Sequence, residues 1–181
     1  MTKTHGYGGP RGNGPPAQRH GGGGPGAGAG QGAQSDRKRE IEQALRPPQQ
    51  PPAYFAPNSR AVRPELLDAE AEKTARDLAQ IPANQLRRFY AEAMALKRRI
   101  DLAPDTISDD DVRAQMALLK AKAAYTCRRQ EKYPIELVRF FARHAAAVRG
   151  KDDFRRGFQP HFEAVMAYHR VYEVEKGGGE G

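Results

Sequence analysis

The sequence predicts an all-α fold: a single-domain bundle of about five helices behind a disordered Gly/Pro-rich N-terminal extension. Three observations carry this expectation. From Pro64 to Tyr172, successive segments place apolar residues at helical spacing. The first 34 residues are dominated by glycine and contain no acidic residue. One segment, Ser108 to Arg129, has both ends of a helix marked, with Ser108 before three aspartates and two arginines at its close. The boundaries that follow are a tail over 1–62 with a short, marginal helix at 35–46, a helical domain over 63–176, and a disordered end over 177–181.

The 181 residues carry 30 Lys and Arg against 22 Asp and Glu, a formal net charge of +8, and the mean hydropathy is -0.81. Such a basic, hydrophilic chain favours partners with negative charge, nucleic acid first among them. No apolar stretch approaches the length of a membrane span, and the N-terminus lacks the apolar centre of a signal peptide, so a cytoplasmic location is expected. A single cysteine excludes an intramolecular disulfide and fits a reducing compartment. Cys127 lies near an apolar seam with no histidine close in sequence, which suits a small core residue better than a nucleophile.

In chain order, Met1 to Gln34 has Lys3, Arg11 and Arg19 as its only Lys or Arg. With Tyr7 these could make an arginine-glycine arm for nucleic acid, but they are sparse, and a solubilising extension is expected instead. In 35–46, Ile41, Ala44 and Leu45 supply a small apolar patch; residues 47–57, PPQQPPAYFAP, read as an extended linker in which Tyr54 and Phe55 can dock. Pro64 starts a helix expected to reach Gln80, with a thin stripe of Leu67, Ala71 and Leu78 that places it on the outside of the bundle. Ile81-Pro82 ends it.

Residues 84–102 form a stronger helix, with Leu86, Phe89, Ala93, Leu96 and Ile100 on one face. Arg87 and Arg98 are eleven residues apart, as are Arg88 and Arg99, so each pair stands on one side of the helix about 16 Å apart. Two basic ridges result, beside but separate from the core face. They suit phosphates along a strand better than a compact small-molecule site, with Glu92 and Asp101 as their nearest counter-charges in sequence. The aspartates around 101–111 lack the alternating ligands, central glycine and closing glutamate of a calcium loop, and helix capping accounts for the later ones; no metal site is expected.

In 108–129, Val112, Met116, Leu119, Ala123 and Cys127 form the seam, to be buried against Phe89, Leu96 and the C-terminal aromatic stripe. Lys120 lies beside the seam, while Lys122 shares the opposite side with Leu118, Tyr125 and Arg129. Pro134 opens a helix to Arg149, with Leu137, Phe141, His144, Ala145 and Val148 inward and Arg139 and Arg143 on the other side. Gly150 is a left-handed cap. Phe154, Phe158, Val165, Tyr168 and Tyr172 line a final core-facing helix that Pro160 kinks or restarts, and His161 and His169 stand about two turns apart, too far to share a metal unaided.

NQLRRFY, LLKAKAAYTCRR and FEAVMAYHRVY, in that order over most of Pro82 to Tyr172, resemble the small helical subunit of type III-A CRISPR effector complexes, the Csm small-subunit family. The chain departs from that pattern at Arg128, where a small residue or glycine is usual, and in its Gly-rich extension. The resemblance implies a bundle of about five helices with no catalytic site and no cofactor. It implies several copies stacked beside repeated backbone subunits and the large polymerase-like subunit, lining the channel where guide RNA pairs with target RNA. Cleavage and cyclic oligoadenylate synthesis would belong to those other subunits. The motifs carry RNA-backbone contacts to Arg87 and Arg88 and to Lys120, Lys122 and Arg129. With Arg98 and Arg99 from the ridges and Arg128 beside Arg129, these are the candidate RNA-contacting residues. Glu163, Tyr168 and His169 fit packing or subunit contacts. The rival from another class is a helical adaptor dimer whose basic faces meet an acidic protein without touching RNA. An enzyme lacks support, since no Ser/His/Asp set, phosphate loop, metal spacing or contrasted carboxylate pair can be found.

Overall fold

A computed structural model describes residues 28–173. The expectations for 1–27 and for the end of the chain lie outside them. The helices are α1 (Gly28–Ala44), α2 (Pro64–Leu67), α3 (Ala69–Asp77), α4 (Ala83–Leu102), α5 (Asp109–Arg129), α6 (Glu136–Ala147) and α7 (Gln159–Tyr172). The fold is all-α; one isolated antiparallel bridge, Phe55 to Val62, is the only extended pairing among the described residues.

Two groups of helices meet at an aromatic core. In one, α7 packs along α2, α3 and α4; in the other, α5 packs along α6, with α1 across both. Phe140 and Phe141 of α6 join the groups by meeting Phe162 of α7 at 5.3 and 5.7 Å between ring centroids, and Phe89 of α4 lies 5.0 Å from Phe141. Rings at these separations hold the layers apart while filling the space between them, and each is worth more than its buried area alone.

The strongest expectations are met. Leu86, Phe89, Ala93, Leu96 and Ile100 are buried on α4, and Val112, Met116, Leu119, Ala123 and Cys127 on α5. The partner of the α5 seam differs, for it lies chiefly against α6 and α1, because α7 is occupied by α3 and α4. Ser108 caps α5 as a capping box: its Oγ accepts the Asp111 N-H at 3.1 Å, and the Asp111 carboxylate accepts the Ser108 N-H at 2.9 Å. These bonds hold the Asp111 carboxyl below its usual range.

Several local readings are corrected. The helix expected over 64–80 breaks at Asp68 (φ -111°, ψ -103°). The break shifts the phase, turning Leu66 inward and leaving Leu67 exposed, and Ala71 and Ala75 of α3 with Leu78 at its end are fully buried, while Lys73, Arg76 and Asp77 stay exposed. Arg143, expected on the solvent side of α6, tucks towards α3, where its Nη2 donates to Thr74 Oγ1 at 2.9 Å. Gly150 does not adopt a left-handed conformation. A Cβ there would meet the Asp109 carboxylate at 2.4 Å, and that carboxylate accepts the Lys151 N-H at 2.8 Å. Asp109, read as a first-turn residue of its own helix, also caps the next helical segment. In the final stripe Phe162 joins Phe154 and Phe158, because a π-helical turn over Asp153–Phe158 advances each residue through a smaller angle and realigns the rings.

The tail expected over 1–62 is structured within the described residues. Ile41 and Ala44 of α1 are buried, and the Arg37 guanidinium donates to the Tyr133 carbonyl. Residues 47–62 form a strap: Tyr54 is only 4% exposed, its hydroxyl shares a hydrogen bond with His144 Nδ1 at 2.8 Å, and its ring lies over Gly157, where a Cβ would come within 2.3 Å. The aromatic after the prolines thus has a prepared slot, and the extended backbone needs few helical bonds to reach it.

Candidate nucleic-acid interface

The α4-α5 hairpin carries all eight cations singled out by the sequence. Its connection, a 3₁₀ turn over Pro104–Thr106, is short, and α5 runs back from it while packing chiefly on α6 and touching α4 at few points. Lys122 Nζ reaches Glu92 Oε2 at 2.6 Å and fixes the register between them. Counted from that tie, Arg87 and Arg88 on α4 and Arg128 and Arg129 on α5 fall at one end of the hairpin, while Arg98 and Arg99 fall at the other. The sequence spacing placed two ridges on α4; the hairpin brings a second pair of arginines to one end of them.

Arg87, Arg88, Arg98, Arg99, Arg128 and Arg129 are exposed, and Lys120 is half-buried beside the seam. Among the described residues none of these seven forms an ion pair within 4.0 Å. Glu92 is taken by Lys122, and Asp101 accepts from Lys97 at 2.6 Å and forms an ion pair with Arg155 at 2.8 Å. The acidic residues nearest the ridges in sequence therefore neutralise other cations. Lys122 is the exception within the candidate set, because its charge is already matched. The Arg99 guanidinium helps to hold the Asp111 carboxyl low without bonding it.

Between these cations the hairpin displays apolar surface. Tyr125 is 62% exposed and Leu118 53%. The Arg129 guanidinium sits 5.7 Å from the centre of the Tyr125 ring, and its Nη1 is 3.5 Å from the hydroxyl. The pairing follows from their i, i+4 spacing, which is legible in the sequence. Arg87 also lines a cleft of about 290 Å³ with Ala83, Met166, His169 and Arg170, so α7 contributes a further cation near that end. The Ala83 N-H at the start of α4 is capped by Glu173 Oε1 at 2.6 Å, a long-range bond without a local sequence signal.

The third motif serves packing, as expected for its tyrosine and histidine. Tyr168 donates to Asp68 Oδ1 at 2.9 Å, and His169 Nε2 donates to the Leu78 carbonyl at 3.2 Å. Glu163 is exposed and accepts from Gln159 at 3.0 Å. Cys127 is fully buried, and burial pushes its thiol up to about 11. Among the described residues, no group of three or more His, Cys, Asp or Glu could hold a metal ion, and no helix is long and apolar enough to cross a membrane.

Fold and surface together define a small, basic helical-bundle protein with seven cations on one hairpin that have no ion-pair partner among the described residues. The family model Csm2 Type III-A matches residues 61–175, and the chain belongs to that family, as a small subunit of the type III-A CRISPR effector complex. No curated protein and no solved structure matches the chain. The matched span contains the hairpin and the aromatic core and begins after α1 and most of the strap.

Proposed function

We propose that this subunit is non-catalytic and binds RNA without reading its sequence, lining the channel in which guide RNA pairs with target RNA. The observation that supports this most directly is the set of seven hairpin cations with no carboxylate partner among the described residues. Exposed side chains that leave their charges unmatched are suited to phosphates, which contribute affinity through counterion release and carry no sequence information. Arg87, Arg88, Arg128 and Arg129 make the principal contact at one end of the hairpin, Arg98 and Arg99 extend it, and Lys120 supports it from beside the seam. Lys122 contributes less, since binding phosphate would break its tie to Glu92. The Tyr125 ring offers a face on which a base can stack.

In this reading the subunit works in the cytoplasm, in several copies, against the repeated backbone subunits and the large polymerase-like subunit. The other subunits supply the chemistry. The assembled complex is the proper object of the test, because a complete groove needs neighbouring subunits. Log affinity for paired RNA should fall linearly with log salt. A double Arg87→Ala, Arg88→Ala change should reduce that slope by up to about two phosphate-equivalents. An unchanged affinity and slope after removing both ridges would sink the proposal. Ribonuclease treatment of the native complex separates it from the adaptor reading, which expects indifference to loss of RNA.

A further inference from the structure

We propose that the cleft between α3 and α6 is a receptor for a single carboxylate side chain from a partner polypeptide. This site lies away from the α4-α5 hairpin and does not rest on the RNA reading. The cleft has a volume of about 470 Å³ and is lined by Lys73, Thr74, Asp77 and Leu78 of α3 and its end, with Glu136, Arg139, Phe140 and Arg143 of α6. That is room for one side chain with its flanking backbone.

Its charges are unevenly matched. Lys73 pairs with Asp77 at 2.7 Å and Arg139 with Glu136 at 2.7 Å, each pair along its own helix. Arg143 is left over. Its Nη2 donates to Thr74 Oγ1, its Nε is shut off from solvent without an acceptor, and it forms no ion pair within 4.0 Å among the described residues. Burial works against its charge, and Glu70 and Asp77 compensate only from a distance. A guanidinium held in this way gains more from an oxyanion than a solvated one does, because it has little water to give up.

The lining selects among oxyanions. Two satisfied pairs and one unmatched cation leave the cleft one positive charge in excess, which a single carboxylate balances. A nucleic-acid strand would carry further phosphates past Asp77 and Glu136 on the rim. The floor is apolar: Leu78 is buried, and Phe140 is buried with the Arg143 guanidinium 5.6 Å from its ring centre. Methylene groups leading to a glutamate carboxylate match that floor, whereas a ribose-phosphate does not.

Solvent-shielded Arg143 Nε-H is a suitable reporter by proton-nitrogen NMR on the full chain. Acetyl-Gly-Glu-Gly-amide should shift it saturably, and the glutamine peptide should not. Asp77→Asn, which removes a rim carboxylate and frees its partner Lys73, should tighten the glutamate peptide by about threefold to fivefold. Arg143→Lys, which keeps the charge but loses the planar fork, should weaken it by about tenfold. If Arg143→Lys does not fold, the wild-type titration and Asp77→Asn decide. Equal shifts from both peptides, a tighter response to inorganic phosphate or oligouridylate, or no saturable shift would overturn the proposal.

Discussion

Acid should loosen this bundle before its carboxylates begin to protonate, because two histidines are buried as neutral rings in its core. His161 Nδ1 donates to the Leu66 carbonyl at 2.6 Å, which fixes the tautomer and leaves Nε2 as a buried lone pair without a partner. A second proton would have to sit on that Nε2. Desolvation opposes it most, Arg143 adds repulsion, and the Leu66 carbonyl and Glu70 favour it too weakly to prevail; the group falls from 6.5 to about 4. His144, with its ring centre 5.0 Å from that of His161, is pushed well below its ordinary value, first by burial and then by its neighbours His161, against which a second charge would be repelled, and Arg143. Between these folded values and 6.5 the unfolded chain binds more protons than the folded one, so stability rises with pH and is lost on acidification. From pH 7.5 to 4.5, His161 alone should cost about 2.5 kcal/mol, and His144 should add in the same direction. Urea unfolding followed by circular dichroism at one-unit intervals measures this. His161→Gln should flatten much of the decline. A stability that does not change across that range, or an equal decline in His161→Gln, would refute the account of buried neutral rings.

Three further outcomes follow from packing. Met116→Ala opens a void in a fully buried seam and should cost about 2–5 kcal/mol by denaturant unfolding, whereas Ala117→Ser on the exposed side should change little. Gly157→Ala places a methyl in the Tyr54 ring; it should cost about 1–3 kcal/mol and expose residues 47–62 to limited proteolysis while the helices persist by circular dichroism. The buried Cys127 thiol, with its pKa raised to about 11, should react with a disulfide reagent only as fast as the protein opens, and rapidly in urea.

The major helices were legible because their apolar positions keep one phase over four or more turns, as from Leu86 to Ile100 and from Val112 to Cys127. Where the phase is interrupted, periodicity misleads. The Asp68 break exchanged Leu67 for Leu66, and the π turn added Phe162 to the aromatic face. The Asp68 break has no proline or glycine at the point where it occurs, and Gly157 within the π turn does not by itself specify a π turn. The exposure of the candidate arginines and Lys122 was legible, since a position opposite a clear seam follows from the helical repeat, as was the half-buried place of Lys120 beside it. Their counter-charges were not: the Lys122 to Glu92 tie and the Arg155 to Asp101 pair join residues far apart in sequence. Arg143 illustrates the same limit. Its i, i+4 spacing from Arg139 suggested a shared solvent face, but the approach of α3 divides the two, and only one of them is paired.

The docking of Arg37, Ile41 and Tyr54 separates two boundaries that are easily taken for one. A polypeptide cut where the family match begins, at residue 61, would lose the ring that fills the slot over Gly157 and the side chains that roof the end of α5. The hydroxyl partner of His144 would leave with them. A minimal fragment designed from the matched span would therefore present raw apolar flank to its surroundings, and any stickiness it showed would belong to the cut and not to the native molecule.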